Sequence, residues 1–203
     1  MSPRKEVVAR ERVLEVAGRM FYEQGVRATG VAEVIAVVGC GKQALYRLFP
    51  TKDDLVAAHL EVAAGERERS ADDATIAADD PAGQLVALTA EVAQWASRPG
   101  SRGCAMRNYL REYPTEETKA KHVAEEYLRR ARDRITALAT AARPDAGEDL
   151  AQKVMVLHEG LYGGYGVTRE MRAAAVALVS ELVAPRPRPP VARGHRICSV
   201  DQS

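Results

Sequence analysis

The sequence predicts an all-α protein of about nine helices, on three observations. Apolar residues recur at spacings of three and four through successive segments of the chain, the period of a helix buried along one side. Alanine is abundant while aromatic residues make up 5% of the 203, a composition that favours helices over sheets. Glycine and proline fall between the periodic runs, at Gly25, Gly39, Pro50, Pro81, Pro99, Pro114 and Pro144, and so divide the chain into elements.

The first helix spans about Pro3 to Gln24, with Leu14, Ala17 and Phe21 inward, Val13 and Met20 behind them, and Gly25 as its stop. Thr29 is expected to cap a short second helix whose stripe is Val31, Val34, Ile35 and Val38. Gly39 takes positive φ cheaply and turns the chain. A third helix runs from about Lys42 to Phe49 and ends at Pro50; Leu45, Leu48 and Phe49 share its inner face, while Lys42, Gln43, Tyr46 and Arg47 share the outer one. Two short helices joined by a glycine turn, the second basic, amide-bearing and aromatic outside, make a helix-turn-helix at about residues 30–49 within a domain of residues 1–50.

That outer face suits DNA. Arg47 can donate bidentately to guanine and Gln43 can pair bidentately with adenine, while Lys42 reaches guanine or phosphate. Tyr46 can give its hydroxyl to a phosphate. Thr51 and Asp54 read as a capping box opening the next helix, with Lys52 beside it as a phosphate clamp. The expected DNA-facing set is Thr29, Lys42, Gln43, Ala44, Tyr46, Arg47 and Lys52. Charge agrees once the net +1 is divided: residues 1–52 carry nine Lys or Arg against five Glu, and the rest twenty against twenty-three.

From about Arg10 to Leu60 the chain resembles the N-terminal domain of TetR-type transcriptional regulators. The resemblance lies in the leading helix ERVLEVAGRMFYEQGVRAT, the turn and helix VGCGKQALYRLFPTKDDLV, and the spacing of Leu45, Tyr46, Phe49 and Lys52. Gly41 stands where such regulators often have Ser or Thr as a cap, and Leu48 where they often have His. The resemblance implies double-stranded operator DNA as a partner, a homodimer, and repression relieved by an unidentified small-molecule effector. It covers about a quarter of the chain.

From residue 51 the periodicity predicts a helical domain to about residue 184, which the resemblance implies serves ligand binding and dimerisation. A long helix runs from Thr51 to about Ser70 as a lever between the two parts. It ends in the charged run Glu66-Arg67-Glu68-Arg69, read as solvated, and a loop follows to Asp80. Pro81 opens a helix facing inward through Leu85, Leu88, Val92 and Trp95, and Cys104 to Tyr113 forms a shorter one. Thr115 with Glu116 and Glu117 is expected to start the helix carrying Val123, Tyr127, Ile135 and Leu138. Asp145 with Glu148 is expected to cap the next, which bears Leu150, Val154, Leu157 and Leu161 and meets Gly160, Gly163, Gly164 and Gly166 near its end. Thr168 starts a last helix to Val183, apolar along two lines. The Pro/Arg-rich tail, residues 185–203, is expected to be disordered.

Two sets of residues follow for this domain. Leu157, Leu161, Gly164, Ala175, Val176, Val179 and Val183 are expected to form a four-helix interface with a second copy. Trp95, Met106, Tyr109, Tyr127, His158 and Tyr162 are expected to wall a small-molecule pocket, with Glu112 and Glu159 near it favouring a cationic or hydrogen-bonding ligand. Other classes find little support. His158-Glu159 lacks a second His four residues on, no glycine-rich phosphate loop or catalytic set stands out, and Cys40, Cys104 and Cys198 are too few and scattered for a zinc site or disulfide framework. No catalytic residue, metal or cofactor is assigned. A constitutive DNA-binding protein needs only the first 70 residues, whereas about 110 more are patterned as packed helices. Without a signal peptide or an apolar run of membrane length, the expected compartment is the cytoplasm.

Overall fold

Helix α1 (Pro3–Gln24) buries Val13, Leu14, Ala17, Met20 and Phe21, and these meet Val34 and Val38 of α2 (Val31–Val38) and Leu45 of α3 (Lys42–Leu48). The computed structural model describes residues 3–163 and 166–184. Among them lie six further helices, α4 (Lys52–Ile76), α5 (Pro81–Ala96), α6 (Ala105–Glu112), α7 (Lys119–Ala142), α8 (Gly147–Leu161) and α9 (Arg169–Val183), and no strand. The all-α reading holds.

Gly39 closes α2 with φ 73°, a left-handed conformation that lets its amide return to Ile35 O and sends the chain into α3. Thr29 is not the cap. Gly30 holds that position, and Glu33 accepts a hydrogen bond from its amide. Thr29 instead is fully buried and donates its hydroxyl to Gly25 O at 2.7 Å, because the α1–α2 turn folds over it.

Helix α4 starts as expected, with Thr51 and Asp54 forming a reciprocal capping box. Its 25 residues span roughly 37 Å at 1.5 Å each. The first half buries Leu55, Val56 and Leu60 against α1, where Gly18 allows the approach: a Cβ there would stand 2.5 Å from His59 Nδ1. The second half runs past Ser70, and residues expected as a loop are helical to Ile76. Ser70 donates to Glu91 of α5, and Arg130 and Arg134 of α7 pair with Glu68 and Asp72, so contacts from two neighbours hold that end.

Two later starts differ from expectation. Thr118 rather than Thr115 caps α7, accepting from the Lys121 amide, because Asp53 of α4 takes the Lys119 and Ala120 amides. Ala146 rather than Asp145 is the cap of α8, without a side-chain bond. Helix α8 stops at Leu161, and the following turn uses Gly166 at φ 84°. Thr168 caps α9 as expected. Helix α7 packs on α4, α5 and α8, and α9 lies chiefly on α5. One apolar core runs from α1 through α4 to Val92, Met106, Tyr109, Ala124 and Tyr127; a second joins Leu85, Leu88, Ile135, Leu150, Val154 and Val179. The expected tail, residues 185–203, lies outside the described residues.

Candidate nucleic-acid interface and ligand cavity

Leu45 and Phe49 are buried and Leu48 half-buried, which fixes the rotation of α3 about its axis. Lys42, Gln43, Tyr46 and Arg47 are therefore exposed on the opposite side, with Ala44 half-buried at its edge. The Lys42 ammonium lies 5.9 Å from the Tyr46 ring centre. Gln43 and Arg47 have no hydrogen-bond partner among the described residues. Their donors face outward free.

The two outlying members of the expected set are placed differently. Thr29, buried with its hydroxyl committed to Gly25, is not available to a phosphate. Lys52 donates to Val26 O at 2.6 Å and so pins the α1–α2 turn; burial holds its pKa below the ordinary lysine value. The ammonium has two donors left.

That same turn is gripped from the other side. Glu112, at the end of α6, accepts the amides of Val26 and Arg27 at 3.2 and 2.7 Å. Arg27 returns a bond to the Glu112 carbonyl, pairs with Glu116 at 2.8 Å, and lies over the Tyr113 ring. The Tyr22 hydroxyl donates to Gly103 O and accepts from the Arg102 amide. The helix-turn-helix is thus seated on the α6 region through its own entry turn. Glu112, expected beside the ligand pocket, serves this junction instead.

A cavity of about 510 Å³ opens between α4, α5, α7 and α8. Its inner end holds Arg67, 4% exposed, whose guanidinium donates to both oxygens of Glu91 at 2.6 and 2.7 Å and to the Tyr162 hydroxyl at 3.0 Å. Burial disfavours that charge, yet Glu91 outweighs it and holds the pKa above the usual arginine value. The Trp95 ring lies 4.3 Å from the same guanidinium. Arg107 clasps Glu159 with Nε 2.9 Å from both carboxylate oxygens. His158 is pushed down to about 4, by burial first and then by the nearby Arg107, so it is neutral near pH 7. Because the Thr89 hydroxyl donates to Leu85 O, the 3.0 Å contact to His158 has Nε2–H donating to Thr89. Leu88, Val92, Leu128, Ile135 and Met155 supply apolar wall.

Of the six expected pocket residues, Tyr127, His158 and Tyr162 line this cavity. Trp95 stands behind it, stacked between Arg67 and Arg98. Met106 is core, and Tyr109 turns toward Tyr113 and Thr118 beside the α6 junction. Arg67 and Glu91 were the residues missed: the first sits in a run of alternating charge that reads as solvated, the second within an apolar stripe.

The expected interface residues also divide. Leu161, Ala175 and Val179 are buried inside the chain's own cores, Val179 completely, because that line of α9 packs inward toward α5. Leu157, Val176 and Val183 are half-buried, and Gly164 lies outside the described residues. The outward apolar residues are Val156 of α8, 70% exposed, with Met171 and Leu178 of α9 at 54% and 41%. Gly160 beside them has open space where a Cβ would stand. Among the described residues no helix is long and apolar enough to cross a membrane.

Residues 13–59 match the family described as bacterial regulatory proteins, tetR family. Whole-fold similarity extends further. A TetR-family transcriptional regulator from Streptomyces coelicolor superimposes with a TM-score of 0.80 at 24% identity, over 86% of this chain and 94% of that one. A TetR transcriptional regulator from Chloroflexus aurantiacus gives 0.79 at 21%, over 89% and 96%. One from Agrobacterium tumefaciens gives 0.76 at 16%, over 89% and 100%. No curated protein matches the chain.

Proposed function

We propose that this chain, a TetR-type regulator by its matched DNA-binding segment and its fold, is a homodimeric repressor that leaves its operator when a small molecule fills the α4–α5–α7–α8 cavity. The observation that carries the reading is the reach of α4. Its first turns hold Leu55 and Val56 against the helix-turn-helix, and Arg67, three turns on, lines the cavity. One rigid element touches both sites. A ligand that prefers a different setting of α4 changes the separation of two recognition helices in a dimer, and so changes operator affinity.

In this reading Gln43 and Arg47 contact base edges, Lys42, Tyr46 and the spare donors of Lys52 contact the backbone, and Ala44 lies close against the groove. The dimer forms through α8 and α9, with Val156, Met171 and Leu178 at its centre and Leu157, Val176 and Val183 at its edge. The protein acts in the cytoplasm and is a transcription factor rather than an enzyme. A constitutive DNA binder has no use for a cavity of this size lined by paired charges and apolar wall.

The test is linkage. Operator fragments are first selected from random duplexes with the purified protein. Affinity for any cavity ligand, followed by Trp95 fluorescence, is then measured with and without operator. Release requires the two affinities to differ, typically by about 5–150-fold. Equal affinities leave the cavity without a regulatory role.

A further inference from the structure

The charged groups of the cavity are unequal in one respect: each lining acid is paired with an arginine, while two of its arginines carry a buried donor without an acceptor among the described residues. Glu91 is held by Arg67 and Ser70, Glu159 by Arg107, Glu68 by Arg130, and Asp72 by Arg134. An incoming cation would therefore have to share a carboxylate with an arginine already paired to it. In contrast, Arg67 Nε and Arg134 Nη1 are buried donors with no acceptor among the described residues, and both residues line the cavity. An unpaired buried donor is costly, and a ligand acceptor removes the cost.

The count of charges points the same way. Among the described residues five arginines line the cavity against four carboxylates, and the fifth, Arg132, has no carboxylate partner there, its bond going to the Leu128 carbonyl at 3.4 Å. Arg67 is more than nine-tenths buried, locked by Glu91 and stacked on Trp95, so its free Nε–H is fixed in direction before any ligand arrives. The rest of the wall combines the rings of Tyr127 and Tyr162 with aliphatic side chains such as Leu88, Ile135 and Met155.

We infer that the effector is an apolar organic monocarboxylate, its body against Leu88, Ile135 and Met155 and its carboxylate accepting from Arg67 Nε and Arg134 Nη1. This rests on the reading of the cavity as the effector site. Of the cationic or hydrogen-bonding ligand expected from the sequence it keeps the second and drops the first, because Glu159 is paired with Arg107 and Glu112 holds the α1–α2 turn. The carboxylate makes the net charge of the site neutral, whereas an ammonium would add to its excess of positive charge.

The experiment compares decanoate and 4-phenylbutyrate with their primary amides and with the amines of equal length. Binding to the full chain at pH 7.5 is read by Trp95 fluorescence and thermal shift. Each carboxylate is expected to bind about tenfold or more tightly than its amide, with the amine weakest. Arg134→Gln should remove part of that preference. R67Q combined with E91Q, which keeps the buried pair neutral and hydrogen-bonded, should remove most of it. Amides or amines binding as well as the acids overturn the inference, and so does an acid preference unchanged in both variants. The two readings fail separately. Carboxylates that bind by Arg67 but leave operator affinity unchanged defeat ligand release alone; amides or amines that bind in the cavity and release operator defeat only the carboxylate. No binding by any of the six overturns the carboxylate inference and leaves ligand release to the linkage measurement.

Discussion

The outer face of α3 and the inner end of the cavity are both arginine-bearing, and they treat arginine in opposite ways. Arg47 stands exposed with its donors uncommitted, while Arg67 is buried and tied to Glu91, Tyr162 and Trp95. Water sets the difference. An exposed guanidinium keeps its hydration and can wait for a polyanion, whereas a buried one must bring its counter-charge into the fold. The same residue type is therefore left available to a partner in one region and built into the architecture in the other.

Breaking the buried pair should give the largest effect. R67Q alone leaves Glu91 in a dry site without its counter-ion and should lower stability by about 3–5 kcal/mol. R67Q with E91Q should recover most of that loss. Urea denaturation of the three proteins decides it; a single variant as stable as the parent means water reaches Glu91. R47A should leave the same denaturation curve within about 0.5 kcal/mol.

Next comes pH, which probes buried charge from the opposite direction. Burial pushes His59 and His158 down to about 4 from an ordinary value of 6.5. Between those values the unfolded chain binds protons that the folded chain refuses, so stability is complete above about pH 6.5 and falls as pH drops toward 4. Each histidine contributes up to about 3 kcal/mol to that fall. Denaturation at pH 7.5 and 5 should therefore differ less in H59Q and H158Q than in the parent. The paired carboxylates, held low by their cations, lose their contribution only as pH falls below their ordinary values of 3.8 and 4.5, outside the comparison of pH 7.5 with pH 5. If both variants keep the parental slope, the rings are not shielded as described.

On the DNA side the effects are smaller and are read in affinity. R47A should cost about 1–3 kcal/mol and relax preference at one base pair, if its contact is bidentate. K42A should weaken all duplexes alike and reduce the salt slope by about one ion. A variant with unchanged affinity and slope would remove that residue from the interface. L178E should leave the fold intact but abolish the proposed dimer in sedimentation, whereas Val179, buried in its own chain, is unsuitable for that test.

How much of this contrast was legible in the sequence depends on where each partner lies. The exposed face of α3 follows from one short helix and its period, so Leu45 and Phe49 inward already place Gln43 and Arg47 outward. The Thr51–Asp54 box and the Thr168 cap are equally local. Arg67 is different: nothing within its own helix distinguishes it from Arg69, and its partner Glu91 lies 24 residues away on α5. The start of α7 was misread for the same reason, since Asp53 of α4 supplies what Glu116 and Glu117 were expected to supply. Val179 was misread because a helix with two apolar lines does not say which one meets α5. Local physics was readable; tertiary partners were not.

The smallest expected effect tests whether the two regions communicate through α6. That helix carries Arg107 in the cavity wall, clasped to Glu159, and Glu112 at its far end, bonded to the turn that positions the helix-turn-helix. E112A removes the acceptor of the Val26 and Arg27 amides at a partly exposed site, where water replaces it at a cost of about 1 kcal/mol. Global unfolding should hardly change. Hydrogen exchange at those two amides should quicken several-fold, while α5 and α7 amides keep the parental rates. Operator affinity should fall with the loosened turn, and ligand affinity in the absence of DNA should stay the same, because Arg107 and Glu159 are untouched. The coupling between them should shrink if the turn relays the ligand's preference to α3. Full coupling in E112A, together with quickened exchange at Val26 and Arg27, would assign the relay to α4 alone.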